Sequence, residues 1–521
     1  MSVIETPRRF SQSLFWHFQG EYYKKNGRAA WSSGEVPFRM SSNPFIANSY
    51  AEIIRGYLRD LAAQSDGVPI DQKRIVILEL GAGSGRFGYL LLSALLKLTD
   101  GLVPERLPKF QYLMTDLAQS NVDGWLEHPK FKPLFDQGVL EFATLDVGNP
   151  LEAQAQVSNQ SLEAFIDGAP VVVVANYLLD VLVHDAFRVE DKELYEMQVG
   201  IESKGAEQET IGTHDHFKKI EMRETPVFAS LPYYEEPEFN AILEDYRQNL
   251  AAATFLFPIV ALRGLNKLRQ ISGGRMLLLV SDMALRNTAQ LEGKNSLGLA
   301  LNGSYSTTLN LDAFIRWAQH SSGQVLVTQT HFRKFDTYGF LLGHSKPCAE
   351  TEIAYRQHAD RFGAKAYYDL ISNANTRKEL LTPAALLGLL QLSHFDPQVV
   401  WRLKRPLLDA ANVANTEERA ALVLALEKCW ENHFSIGEER NPAFTIGRTM
   451  ARLRQNTKAL VYYQHAIDEF GPNWATYRNM GKCWEKLGDP SKALNFYRQS
   501  LNQKQTPYVE QAVERLEGQQ A

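Results

Sequence analysis

Residues 74–85 read Arg-Ile-Val-Ile-Leu-Glu-Leu-Gly-Ala-Gly-Ser-Gly, and this run limits the fold more than any other stretch of the chain. Four apolar residues in a row, rich in β-branched types and cut off by glycines, are too short for a buried helix and suit a strand covered on both faces. Glycines at 81, 83 and 85 remove side chains where the backbone must turn, so a flat ligand can approach the chain closely. A helical stretch follows at Phe87–Leu98. Strand, glycine turn and helix together open a doubly wound α/β sheet.

The rest of the first two-thirds keeps that rhythm. Further buried strands are expected at Phe110–Asp116, Leu140–Asp146, Pro170–Asn176, Gly274–Asp282 and Gly323–Gln329, with a helix at Leu311–Gln319. The polar, poorly periodic stretch from Val199 to Pro232 marks an insertion, bounded at about residues 199–265. From Glu350 onward the pattern is helical to the end. The expected organisation is therefore α/β, a Rossmann-like sheet followed by an all-α domain. Residues 1–70 form a helical cap and lid, 71–345 the sheet domain, 346–435 a helical linker domain and 436–521 a repeat module.

The module shows internal periodicity. Gly447 and Gly481 are 34 residues apart, as are Ile446 and Met480, Ala459 and Ala493, and Tyr463 and Tyr497. That is the period and residue pattern of tetratricopeptide repeats. Small Gly481 and Ala493 let two antiparallel helices approach, while Tyr477, Trp484 and Tyr497 fill the space between repeats. Such grooves hold a peptide or a partner helix. The alternatives are that two repeats cap the preceding domain or form a homodimer contact.

The order Glu-Leu-Gly-Ala-Gly-Ser-Gly favours S-adenosylmethionine as the cofactor, through Glu79, Gly81, Ala82, Gly83 and Gly85. A nicotinamide reading competes, because Gly83-Ser-Gly85-Arg-Phe-Gly88 also matches GxGxxG. Asp116 ends the second strand, where a carboxylate can accept both ribose hydroxyls, and Asp146 ends the third, where one suits the adenine amine. Their neighbours Leu117 and Val147 belong to the same expected site. After the fourth strand, Asn176, Tyr177, Asp180, His184 and Asp185 are the candidates for substrate contact or proton handling, with helix capping as the plain alternative for Asn176 and Asp180.

Composition narrows the remaining options. A formal net charge of -5 gives no basic face for nucleic acid. Three widely spaced cysteines, Cys348, Cys429 and Cys483, exclude a disulfide scaffold and fit a reducing cytoplasm. No HExxH or Cys/His constellation with metal spacing occurs, and methyl transfer from a sulfonium requires none. No apolar run is long enough to span a bilayer.

On these residues the chain resembles the MidA-like methyltransferases, a class I family that includes a mitochondrial complex I assembly factor. The family's motif after the fourth strand reads N-E-x-x-D-A-x-P; Asn176 and Asp180 match it, while Tyr177 replaces the glutamate and Val183 the proline. Tyr22-Tyr-Lys-Lys-Asn-Gly27 followed by Ser41-Ser-Asn-Pro-Phe45 is similar to the family's tyrosine-rich stretch and T-S-P-like loop, which adds Ser42 to the expected cofactor site. Ser281-Asp282 stands where the family has D-Y-G, and Gly303–Asp312 where it has D-x-T-A-x-V-D. The resemblance covers about residues 12–345 and implies methyl transfer to a protein side chain, arginine in the mitochondrial relative, or to a small molecule delivered by a partner. Tyr177 removes a carboxylate that would hold a guanidinium. A second expectation follows from that departure: a methyltransferase-like scaffold that has lost catalysis and acts through its repeats.

Overall fold

Seven apolar strands and one short extension assemble into a single sheet. In the computed structural model, which describes residues 2–32, 40–64, 73–100, 107–204, 213–302, 304–329, 335–376 and 381–520, the chain divides into two compact units, Met1–Lys365 and Ala366–Ala521. The strands of the first unit begin with β1 (Ser2–Arg9), β2 (Arg74–Glu79), β3 (Lys109–Asp116), β4 (Leu140–Thr144) and β5 (Val171–Val174). Next come β6 (Asp185–Glu190), β7 (Glu193–Ser203), β8 (Ile220–Phe228), β9 (Ala252–Phe257) and β10 (Met276–Leu285). The last are β11 (Ala300–Asn302), β12 (Ser304–Ser306), β13 (Leu309–Asn310), β14 (Gln324–Leu326) and β15 (Phe335–Leu342).

The main sheet runs β14-β15-β10-β5-β2-β3-β4, with β13 beside β10. Strands β4, β3, β2, β5 and β10 are parallel neighbours, whereas β15 is antiparallel to both β10 and β14. An uninterrupted dinucleotide-binding sheet keeps its last strand at the edge; here the antiparallel strand β15 is inserted between β10 and the edge strand β14. Ile75–Leu78 and Val171–Val174 are fully buried, which is why these segments are continuous apolar runs rather than alternating ones. The winding direction reverses between β2 and β5, so the carboxyl ends of those two strands open a crevice of the kind that takes ligands in open α/β sheets.

Four helices frame the crevice: α1 (Leu14–Asn26), α2 (Ala29–Ser32), α3 (Pro44–Ala63) and α4 (Arg86–Asp100). Helix α1 starts at Ser13, whose side chain accepts from the Phe15 N–H, and the buried Glu5 carboxylate accepts from the Ser13 hydroxyl at 2.5 Å and the Leu14 N–H at 3.0 Å. Gly27, at φ +45°, ends it. Helix α3 is started by Asn43, whose side chain accepts from Ile46 N–H, with Pro44 in its first turn.

Two expectations change here. The N-terminal segment opens as strand β1 and not as a helix, because it pairs with β7 from nearly two hundred residues away, a partner that local pattern does not reveal. The insertion is a five-stranded sheet, β1-β7-β6-β9 with β8 on β7, and it begins at Asp185, before the expected bound. β8 exposes Glu221, Arg223, Glu224 and Thr225, so its sequence reads as polar loop although its backbone pairs throughout with β7. Residues 33–39 and 65–70 of the expected cap, 205–212 of the expected insertion and Gly303 of one quoted motif lie outside the described residues.

The second unit is helical throughout its described residues. Its last five helices are α5 (Pro442–Arg452), α6 (Asn456–Phe470), α7 (Trp474–Lys486), α8 (Pro490–Gln503) and α9 (Pro507–Gln520). A Cβ added to Gly447 would come within 2.8 Å of the Tyr463 ring, and one on Gly481 within 2.6 Å of the Tyr497 ring. The α5/α6 and α7/α8 pairs thus repeat one glycine–tyrosine contact, with Ala459 and Ala493 fully buried beside it.

Candidate functional site

The sequence places the glycine turn directly after β2, and hydrogen bonds fix it from three sides. Ala82 N–H donates to the Thr115 carbonyl at 2.8 Å, and Gly85 N–H closes the turn onto the Ala82 carbonyl at 2.9 Å. Gly83 N–H donates to Asp116 Oδ2 at 2.8 Å, while Trp125 Nε1 donates to the Gly83 carbonyl at 3.1 Å. The three glycines have φ of +64°, +54° and +78°, the left-handed region that side chains disfavour. Their surroundings differ. A Cβ on Gly81 would meet Leu178, on Gly83 the Trp31 ring, and on Gly85 the Trp125 and Phe131 rings.

Beside this turn lies a cavity of about 340 Å³, within the usual range of small-molecule sites. Glu79, Gly81, Ala82 and Gly83 line one side, with Asp116, Leu117, Asp146 and Val147 at the next strand tips. Asn176 and Tyr177 line it from β5, and Ser42 from the loop before α3. Trp16, Gln19, Tyr23 and Trp31 of α1 and α2 cover it. Of these roof residues only Tyr23 lies in a motif quoted from the sequence; for Trp16, Gln19 and Trp31 the aromatic density of Phe15–Tyr23 was the available signal. Gly85, Asp180, His184 and Asp185 do not line the cavity.

Asp116 is held by two backbone donors, Gly83 N–H on Oδ2 and Ala118 N–H on Oδ1 at 2.9 Å. Burial raises its pKa, opposed by those same N–H groups. Asp146 Oδ1 accepts from Gly148 N–H at 2.8 Å, and the side chain is otherwise exposed. Glu79 is buried and accepts from the Tyr112 hydroxyl at 2.9 Å; burial pushes its carboxyl up to about 8. It therefore carries a proton at neutral pH.

The segment after β5 is divided in its roles. Asn176 Oδ1 accepts from the Tyr50 hydroxyl at 2.7 Å and Ser281 N–H at 2.9 Å. Tyr177 adopts φ +49°, a conformation that costs a bulky residue about 1–2 kcal/mol. It is retained by its N–H on the Ser281 carbonyl and by stacking on Phe335 at 5.4 Å. Asp180 is buried next to Asp282, and each has a carboxyl oxygen without a hydrogen-bond partner among the described residues. Burial raises the pKa of both carboxyls, and the charge of Asp180 adds to the rise at Asp282. The fully buried His184 ring donates from Nδ1 to the Leu182 carbonyl at 2.6 Å and stacks on Trp16 at 5.8 Å. Burial lowers its pKa to about 4, so it is neutral. Asp185 is paired with Arg9 and accepts from the Tyr234 hydroxyl at 2.7 Å; its work is to tie β1 to β6 within the second sheet.

No protein-family model matches the chain, and no curated protein does. Among solved structures, a COG1565 superfamily protein from Burkholderia thailandensis is 13% identical, with 66% of this chain and 90% of that one covered and a TM-score of 0.41. A candidate methyl transferase of the same superfamily and organism, bound to S-adenosyl-homocysteine, is also 13% identical, covering 61% of this chain and 73% of that one at a TM-score of 0.38. MamA is 16% identical over 28% of this chain and 91% of its own, with a TM-score of 0.19. Scores this low carry no functional weight. Among the described residues, no helix is long and apolar enough to cross a membrane.

Proposed function

We propose that the first unit is an S-adenosylmethionine-dependent methyltransferase of class I. The observation that supports it best is the cavity at the sheet's reversal point, bordered by Gly81–Gly83 and by an Asp116 carboxylate that two backbone N–H groups hold in place. The residues present fit that cofactor. Each Asp116 oxygen keeps a lone pair for a ribose hydroxyl, Asp146 Oδ2 remains for an exocyclic amine, and Leu117, Leu145, Val147 and Val260 supply an apolar wall for a purine. Gly81 and Gly83 allow close approach of a ligand tail, and Ser42, Glu79 and Asn176 border the same space. When bound, the cofactor supplies an electrophilic methyl group and leaves as a neutral thioether. The chain's part is then to align a nucleophile, exclude water beneath the Trp16 and Trp31 roof, and accept a proton where the nucleophile has one to lose.

Isothermal titration of the full chain with S-adenosylmethionine and its demethylated product tests this. Binding is expected for both, weakened by about tenfold or more in Asp116→Ala, as loss of a charged hydrogen-bond acceptor implies. No binding at millimolar ligand, or preferential binding of a nicotinamide dinucleotide, overturns it.

We further infer that the helical unit is a tetratricopeptide-type module that holds a peptide partner and brings a methyl acceptor, a protein side chain or small molecule, to the first unit. One observation favours the second reading, a scaffold without catalysis: Asp180 and His184 are sealed away from the cavity. A partner captured by the full chain that gains no methyl group in the presence of cofactor decides for the scaffold.

A further inference from the structure

The last five helices are more basic than the chain as a whole. Residues 442–520 hold eleven Lys and Arg against seven Asp and Glu, while the full chain has a net charge of -5. Four of these cations are in ion pairs: Lys458 with Glu427, Lys492 with Asp489, Arg498 with Glu517 and Arg515 with Glu485. Of the other seven, Arg452, Arg454, Lys486 and Lys504 are exposed and three are not. Arg448, Arg478 and Lys482 are half-buried and form no ion pair among the described residues.

The three belong to one surface. Arg448 on α5 and Lys482 on α7 are 34 residues apart and so occupy equivalent places in the repeat. Arg478 is one turn before Lys482 on the same helix face, and Arg448 and Arg478 both act electrostatically on the Tyr463 hydroxyl. Each cation lies over a ring: Arg448 over Phe444 at 5.8 Å, Arg478 over Trp474 at 5.0 Å and Lys482 over Tyr508 at 4.0 Å. A ring positions a cationic head without neutralising it. The Arg478 Nε–H is buried and has no acceptor among the described residues, and such a donor is costly to leave unmade. Glu485, close in sequence to Lys482, is already engaged by Arg515 and the Tyr497 hydroxyl. Burial and the like charges of Arg478 and Lys486 lower the Lys482 pKa.

We propose that this α5–α7 face docks an acidic segment of a partner protein, its carboxylates received by Arg448, Arg478 and Lys482. Four residues of helix advance about 6 Å, and alternate side chains of an extended chain are about 6.6 Å apart. Acidic residues at alternate positions of an extended segment therefore match Arg478 and Lys482 together. Three cations among rings are too few for nucleic acid, whose affinity is built on many phosphate contacts along a broad basic face. The proposal rests on the reading of this unit as a peptide-holding module and is independent of methyl transfer.

Fluorescence anisotropy of the full chain with a short Ser/Gly peptide carrying glutamate at alternate positions is the test. Binding is expected, weakened by about tenfold in Arg478→Gln/Lys482→Gln through loss of two charge-assisted contacts. Lys458→Gln/Arg498→Gln, an equal charge loss at two matched cations, should leave it unchanged. The charge-swapped Arg478→Glu/Lys482→Glu chain should bind the lysine counterpart peptide, which guards against a variant that merely misfolds. Equal binding of glutamate, lysine and uncharged peptides by the unaltered chain overturns the acidic preference while leaving the module reading in place. Competition by an oligothymidylate of equal charge as effective as the peptide's own overturns the choice of protein as partner. If no peptide of any charge binds, the module reading falls and this proposal with it, while cofactor titration remains a separate result.

Discussion

Alanine at position 83 would meet two obstacles, and they can be separated. The backbone there has φ +54°, which costs an L-residue about 1–2 kcal/mol. The added Cβ would also lie 2.8 Å from Trp31 Cζ2 and 3.0 Å from Cε2. The turn cannot simply retreat, since Asp116 and Trp125 hold Gly83 by its N–H and its carbonyl. The Trp31 ring must yield instead, an overpacking cost of about 1–3 kcal/mol. Gly83→Ala alone should therefore destabilise the chain by about 3 kcal/mol. Trp31→Ala removes the obstacle, so in that background the same substitution should cost only the backbone share. The double-mutant cycle is expected to show a coupling of about 1–2 kcal/mol. Urea unfolding of the four proteins, followed by far-ultraviolet circular dichroism so that loss of a tryptophan does not distort the signal, measures it. Additivity to within about 0.5 kcal/mol would refute the claim that the roof rests on the glycine turn.

Glu79 and His184 give opposite pH signatures. Between pH 4.5 and about 8 the folded chain keeps a Glu79 proton that the unfolded chain has lost, so this group's contribution to stability falls as pH rises. Glu79→Gln should flatten the decline in urea midpoint from pH 5 to 8; an unchanged slope counts against it. For His184 the unfolded chain takes up a proton below about pH 6.5 that the folded chain refuses until about 4, so stability falls as pH falls through that window. His184→Phe, which keeps a ring against Trp16, should be less acid-sensitive by the same measurement. Gly447→Ala and Gly481→Ala should each lower stability by about 1–3 kcal/mol through the repeated tyrosine contact, and an effect at one site alone would deny that the helix pairs are structurally equivalent.

What the sequence disclosed follows from which contacts are local. Strands β2 to β5 and β10 announce themselves because burial on both faces makes Val-Val-Val-Val or Ile-Val-Ile-Leu their necessary composition. β15 escaped notice although all its residues are buried, because Asp336, Thr337 and Gly339 break its apolar pattern. Burial of Asp336 is made tolerable by the hydroxyl of Thr328 and the N–H of Thr337, partners a linear pattern does not display. The second sheet was illegible for a related reason: β1 pairs across most of the unit's length, and β8 has little buried side chain to leave an alternation.

The candidate site was legible as a set of strand tips, less so as a set of orientations. Gly83 and Gly85 share a motif, yet Gly83 lines the cavity while Gly85 makes room for Trp125 and Phe131. After β5 the left-handed turn at Tyr177 redirects the chain, so Asp180 and His184, four and eight residues beyond Asn176, point into protein. Asn176 has its amide oxygen taken by two donors, which fixes it as a brace between α3 and β10 and leaves no acceptor for a substrate proton. Within residues 176–185, Tyr177 is then the one titratable side chain bordering the cavity. If methyl transfer there requires this segment to take the nucleophile's proton, Tyr177 must do so as its phenolate, becoming the neutral hydroxyl, and Tyr177→Phe should lose turnover while retaining cofactor affinity.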